Sequence, residues 1–271
     1  MNITFIGGGN MAQAIIGGLL KRGFDAGAIG VVEIVPAARE RLARAFAVRC
    51  FAAPEHAAPF GDLVVMAVKP QQMREAAKAV APHLHGELVL SIAAGTRLAD
   101  LSRWLGGHTL LARCMPNTPA LIGAGVSAAY CVEQVTPERR AQVTQVLESV
   151  GALVWVGEES LLDAVTAVSG SGPAYVFYFI EALEEAAREL GLSPDQGRRL
   201  ALATFVGAAR LAEESGEDVA LLRERVTSRG GTTEAALAAM QAAGIKEAIV
   251  RAIRAADARA KELGEQLGKD A

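Results

Sequence analysis

Ile3-Thr4-Phe5-Ile6 runs directly into Gly7-Gly8-Gly9, after which Met11, Ile15, Ile16, Leu19 and Leu20 recur with a period of about 3.6 until Arg22-Gly23. A buried strand, a glycine turn and an amphipathic helix in that order leave few architectures open. The pattern then repeats. Ile29–Glu33, Leu63–Val68, Leu88–Ile92 and Leu110–Met115 read as strands, and Pro36–Phe46, Gln71–Ala81 and Leu98–Leu105 as the helices between them. Tyr130–Val132, a helix over Pro137–Val150 capped by Thr136, and Leu153–Val156 complete the series. Strands alternating with helices imply an α/β, doubly wound parallel sheet, expected here over residues 1–157.

The period changes after that. From Leu161 onward it is helical throughout, with helices expected at 161–168, 173–190, 194–215, 218–226, 233–243 and 246–263, so residues 158–271 read as an all-α domain. Ser193-Pro194-Asp195-Gln196 has the form of a capping box. In the helix 173–190, Val176, Ile180, Leu183, Ala187 and Leu190 form one stripe, and Tyr175, Phe179, Ala182 and Ala186 a second beside it. An apolar face that wide has to be covered on more than one side, which predicts a homodimer packed through this domain.

Two domains agree with 271 residues at the usual ~100–200 per domain. The chain is 51% hydrophobic, yet no segment offers the ~18 uninterrupted apolar residues of a membrane span. Its opening residues lack a basic, cleavable leader, so a cytoplasmic protein is expected. Lys and Arg number 27 against 30 Asp and Glu, for a net charge of −3, and no basic face for nucleic acid is indicated. Cys50, Cys114 and Cys131 are far apart, without C-x-x-C spacing, and are read as buried apolar residues; no metal is expected. His56, His83, His85 and His108 all lie in the first domain, so chemistry in the helical half proceeds without imidazole.

Gly7-Gly8-Gly9-Asn10-Met11-Ala12 fits G-x-G-x-x-A, and the following strand arrives within about 33 residues, the context that turns this motif into a dinucleotide site. Gly7 permits the tight turn, Gly9 the approach of the pyrophosphate, and the helix start supplies free N–H groups. Residues Ile6, Gly7, Gly8, Gly9, Asn10 and Met11 are therefore cofactor candidates. Glu33, ending the second strand, is either a ribose-hydroxyl acceptor that repels a 2′-phosphate or a solvated strand end, with Arg39 and Arg41 near enough to offset its charge. The ends of two further strands, Ala67-Val68-Lys69-Pro70 and Ala93-Ala94-Gly95, face the crevice where ligands bind in open sheets. Lys69 reads as a cation near the phosphates or in solvent rather than as a catalytic amine.

In the helical half, Val226-Thr227-Ser228-Arg229-Gly230-Gly231-Thr232-Thr233-Glu234 is a glycine-hydroxyl turn that opens a helix. Thr232 fits as an ordinary N-cap, but two glycines and several hydroxyls exceed what a cap requires. A helix start is an anion site, so a small carboxylic acid is the natural ligand.

Together the motifs FIGGGNMAQAIIGGL, MAVKPQ, SIAAG, MPNTPALIGAG, SGSGPAYVFYFIEAL and VTSRGGTTEAAL, in this order over nearly the whole chain, resemble pyrroline-5-carboxylate reductases. The resemblance implies an N-terminal Rossmann domain and a helical C-terminal dimerisation domain, with larger rings of dimers in some relatives. It implies an oxidoreductase that moves hydride from NADP(H) or NAD(H) to the C=N carbon of 1-pyrroline-5-carboxylate to give L-proline. It also implies that Ser228, Gly230, Gly231, Thr232 and Thr233 hold the substrate, with the Thr233 hydroxyl on the ring nitrogen as the catalytic contact. Two departures stand out. Arg229 occupies a position where the family usually has proline, and Glu33 one where many relatives keep small or neutral residues, so NADH is expected to compete well with NADPH.

Two other readings compete. Two-domain hydroxyacid dehydrogenases resemble this architecture but carry a lysine four residues after the second glycine of a G-x-G; here Gly170-Ser171-Gly172 is followed by Val176, which is no base. A non-catalytic dinucleotide sensor would have no use for the 226–234 turn.

Overall fold

The computed structural model describes residues 1–269; the last two residues of the expected helical domain lie outside the described residues. Eight strands, β1 (Ile3–Ile6), β2 (Ile29–Val32), β3 (Arg49–Phe51), β4 (Leu63–Met66), β5 (Leu88–Ser91), β6 (Leu111–Met115), β7 (Gly125–Cys131) and β8 (Gly151–Trp155), form one sheet in the order β3-β2-β1-β4-β5-β6-β7-β8. The helices of the first half are α1 (Asn10–Lys21), α2 (Pro36–Phe46), α3 (Pro54–Ala57), α4 (Met73–Val80), α5 (Leu98–Trp104), α6 (Pro137–Glu148) and α7 (Leu161–Val165). Those of the second are α8 (Gly172–Glu189), α9 (Pro194–Ser215), α10 (Val219–Arg225), α11 (Thr232–Ala242) and α12 (Ile245–Lys269).

The chain order reverses beside β1, where β2 lies on one side and β4 on the other, both parallel to it. That reversal opens the ligand crevice at the carboxyl ends of these strands. β1, β2, β4 and β5 are buried along their whole length. Their side chains alternate between two cores, as the pleat demands. Phe5, Val65 and Leu90 enter one with Ile15, Ile16 and Leu19 of α1, while Ile6, Val64, Met66 and Val89 enter the other with Val80 and Leu101.

The sheet departs from the expected one in three respects. β7 runs antiparallel to β6, with Arg113 opposite Tyr130, and β8 is parallel to β7, so the far edge makes the sheet mixed. β7 also starts at Gly125, five residues earlier than Tyr130, and β3 is an additional edge strand.

The compact units differ from the expected division at residue 157. One comprises Met1–Ser171 together with the chain from Ala256 onward; the other is Gly172–Ala255. Residues 158–171 belong with the sheet because Glu159 and Asp163 pair with Arg113 of β6, and the last turns of α12 belong there through the close approach of Gly264 and Gly268 to residues 95–103. In the helical unit α8 and α9 form an antiparallel hairpin. The predicted capping box is present, with Gln196 N–H donating to Ser193 Oγ and Ser193 N–H to Gln196 Oε1. Gly197 lets the two helices close, since a Cβ there would stand 2.9 Å from Cβ of Ala187.

Candidate functional site

Gly7 follows β1 at φ +99°, a backbone that side-chain-bearing residues avoid, and a Cβ there would lie 2.9 Å from the Ala67 carbonyl oxygen and 3.0 Å from Val68 Cγ1. The turn is thus wedged between the ends of β1 and β4. Its position is set by Gly7 N–H donating to Val32 O at 2.8 Å and Ala67 N–H donating to Ile6 O at 2.8 Å. Gly9 is the N-cap of α1 with no side-chain cap, and a Cβ added there meets nothing within 4 Å. Gly9 and Asn10 are exposed, Met11 half-buried and Ile6 buried in the core. An open, uncapped helix start at a switch point fits a dinucleotide pyrophosphate.

Glu33 lies just beyond β2, half-buried rather than a solvated strand end, and both of its carboxylate oxygens are engaged by the backbone. Oε2 accepts the Gly8 N–H at 3.1 Å and Oε1 the Val35 N–H at 2.9 Å, so one carboxylate ties the glycine turn to the end of β2. A Cβ on Gly8 would push aside the Leu42 side chain at its Cδ1 end and would touch this carboxylate at 3.4 Å. Arg39 does not face the carboxylate; its Nη1 donates to the carbonyls of Glu33 at 2.7 Å and Ile34 at 3.0 Å. Ile34 and Val35, 72% and 50% exposed, form an apolar shelf beside the crevice that the sequence reading passed over. Ala67, Val68 and Pro70 are half-buried at the end of β4, and Lys69 is exposed. Ala93 is buried and Ala94 and Gly95 half-buried after β5. Gly7, Gly8, Glu33, Ala67 and Val68 therefore come together at one end of the sheet.

The 226–234 turn lies in the helical unit. Contrary to expectation, Thr232 does not cap α11: Gly231 is the N-cap, and no side chain caps the helix. Each glycine has a local cause. Gly230 sits at φ +74°, and a Cβ on Gly231 would stand 2.6 Å from Ser228 Oγ. Glu234 Oε2 accepts the Gly230 N–H at 2.6 Å, which braces the turn from within. Ser228, Gly230 and Thr232 are exposed, and Gly231 and Thr233 half-buried, so hydroxyls and N–H groups converge on an uncapped helix start.

Absent from the sequence expectations is a buried ionic cluster. Arg113, 1% exposed within β6, donates from Nη1 to Glu159 Oε1 at 2.9 Å and lies 3.9 Å from Asp163. Asp163 Oδ2 in turn accepts Arg97 Nη2 at 2.6 Å, and Glu159 Oε1 also accepts the Leu98 N–H. An arginine in the middle of the apolar strand Leu-Ala-Arg-Cys-Met was the available signal. Asn117 was missed as well: its Oδ1 accepts the Val126 N–H at 2.9 Å and its Nδ2 donates to Ser169 O at 3.2 Å. It pins the π-helical turn Thr166–Gly170, the last sheet-unit turn before α8.

Of the cysteines only Cys114 is fully buried, its thiol pushed up to about 12 by burial. Cys50 and Cys131 are half-buried, with thiol pKa values raised by desolvation and partly lowered by Arg39 and Arg140. Among the described residues no three of His, Cys, Asp and Glu gather as a metal site requires, and no helix is long and apolar enough to cross a membrane.

A doubly wound sheet with a glycine turn at its switch point, followed by helices with a second glycine-hydroxyl turn, is the architecture of a two-domain, dinucleotide-dependent oxidoreductase. Residues 159–263 match the family model described as pyrroline-5-carboxylate reductase dimerisation, and residues 2–95 match one described as NADP oxidoreductase, coenzyme F420-dependent. The chain is 45% identical over 268 residues to the pyrroline-5-carboxylate reductase of Pseudomonas aeruginosa, covering 98% of each. The structure of the Coxiella burnetii reductase superposes with a TM-score of 0.92 at 38% identity, covering 97% of this chain and 98% of that one. That of the Plasmodium falciparum reductase with NADP bound superposes at 0.86 and 27% identity over the same shares. The chain belongs to the pyrroline-5-carboxylate reductase family.

Proposed function

We propose that this chain reduces the C=N bond of 1-pyrroline-5-carboxylate to L-proline as the last step of proline synthesis, with NADH or NADPH supplying the hydride. The observation that carries this reading is the uncapped, hydroxyl-rich start of α11 in a chain of this family. The free N–H groups of Thr232 and Thr233 and the Ser228 hydroxyl bind the substrate carboxylate against Gly231, whose own N–H is held by the Ser228 carbonyl at 3.0 Å; a carboxylate at a helix start gains about 0.3–1 kcal/mol, more when partly buried. Gly230 gives the turn its left-handed corner. The Thr233 hydroxyl oxygen accepts the N–H of the protonated ring nitrogen and so orients the C=N bond. Hydride addition at the carbon neutralises that cation, so the site needs orientation more than a strong acid, which suits a half-molecule without histidine.

Residues Gly7 to Met11 hold the pyrophosphate, Ala67–Pro70 and Ala93–Gly95 the nicotinamide half, and Glu33 the adenosine ribose. Because Glu33 carries its charge where a 2′-phosphate would lie, NADH competes well with NADPH. The helical domain assembles the homodimer, dimers join into rings through a second contact, and the working compartment is the cytoplasm.

The test is a spectrophotometric assay of NADH and NADPH oxidation with pyrroline-5-carboxylate, run also in reverse with 2- and 3-hydroxyacids. Turnover of a hydroxyacid but not of the imine overturns the reading. Thr233→Ala lowers kcat by about 10²-fold, the scale of one lost transition-state hydrogen bond, with the Kd for NADH unchanged; an unchanged kcat removes Thr233 from its role.

A further inference from the structure

Two glycines interrupt the last turns of α12, where each costs about 1 kcal/mol relative to alanine. Gly264 and Gly268 are four residues apart and so share one helix face. Each has a close neighbour in the segment after β5. A Cβ on Gly264 would stand 3.0 Å from Arg97 Nε, and one on Gly268 2.5 Å from Asp100 Oδ2. From the other side, Gly95 sits at φ +75°, and a Cβ there would lie 3.0 Å from Leu267 Cδ1 and 3.6 Å from the Gly264 nitrogen. Arg103 Nη2 pairs with Asp100 at 2.8 Å and donates to Gly268 O at 3.2 Å, while Arg97 is anchored on Asp163. The end of α12 is thus seated on residues 95–103 by close backbone approach, an apolar contact and a hydrogen bond. This seat begins one residue beyond the 159–263 dimerisation match.

The segment it covers continues directly from Ala93-Ala94 at the mouth of the crevice. That turn has little internal support: Ala93 N–H donates to Ser91 Oγ at 3.3 Å, but Thr96 Oγ1 is buried without a partner. We propose that the last turns of α12 brace the Ala93–Gly95 turn in the conformation that receives the nicotinamide half of the cofactor, making Gly264 and Leu267 positioning residues for cofactor binding. The inference rests on the assignment of that turn under the proposed function. Glycine at 264 lets the helix axis approach the turn, and Leu267 fills the space above Gly95. Removing either lets the turn leave its receiving conformation, and the apparent Kd rises in inverse proportion to the occupancy that remains.

Leu267→Ser and Gly264→Val in the full-length chain test this by NADH fluorescence titration and steady-state kinetics. If the receiving conformation falls to about one fifth occupancy, the Kd and KM for NADH rise about fivefold, while the KM for pyrroline-5-carboxylate and kcat at saturating NADH stay within about twofold. A merely structural role would lower the melting temperature without that selective change in KM. Leu267 is half-buried near the end of a helix, so its variant decides the matter even where Gly264→Val does not fold. An unchanged NADH Kd in folded Leu267→Ser overturns the brace and leaves the proposed function standing. Failure of the unmodified chain to bind either NADH or NADPH overturns the proposed function, and the brace with it.

Discussion

The sheet unit and the helical unit solve the burial problem in different ways. In the first, four strands are covered on both faces and two cores close around them. In the second, Ile180, Gly197 and Ala201 are the buried residues among those described, while Phe177, Tyr178, Leu190 and Leu200 are 59%, 72%, 83% and 56% exposed. Apolar area of that extent left exposed on a helical body is an interface. The lesson is one of energy sources: the sheet unit is stabilised by its own interior, the helical unit by whatever covers α8 and α9.

The contrast is broken most severely at Arg113. Arg113→Met leaves Glu159 without its main partner and Asp163 with Arg97 alone, and should lower stability by about 3–5 kcal/mol, read by urea unfolding at any protein concentration. A loss under 1 kcal/mol would mean that the cluster is not a keystone of the sheet unit. Next comes the helical face. Phe177→Glu should cost about 2 kcal/mol or more of association, seen as monomers in sedimentation and as loss of the concentration dependence of melting. If the variant sediments like the parent, α8 is not the covered face.

Gly7→Ala forces a side chain to φ +99° against the Ala67 carbonyl; the expected cost is about 1–3 kcal/mol of strain and weaker NADH binding by fluorescence titration. The smallest effect sharpens the cofactor side. Glu33→Ala should move the ratio of kcat/KM for NADPH over NADH up by about tenfold, or 1.4 kcal/mol. A ratio that stays put assigns Glu33 to holding the glycine turn alone.

Strands with continuous apolar runs, and helices with a strict period, were legible from residues alone: α2 and α9 begin and end where their patterns do. What escaped was small or polar. β3 is Arg-Cys-Phe, too short and too mixed for any pattern to register. β7 opens with Gly-Val-Ser-Ala-Ala, whose small side chains have weak strand preference, so only its end near Tyr130 stood out, and nothing local reports that it runs antiparallel to β6. In the site, the glycine turn was legible because backbone geometry demands glycine there. The ties of Glu33 to Gly8 and of Asn117 to Ser169 join residues 25 and 52 apart in the chain, and a one-dimensional period carries no such information.

Asn117 has a use beyond holding the fold. The Val126 amide is satisfied by a side-chain oxygen whose own amide nitrogen grips Ser169. Hydrogen exchange at Val126 is therefore a built-in gauge: its protection factor follows the seating of the π-helical turn through one side chain, without a substitution.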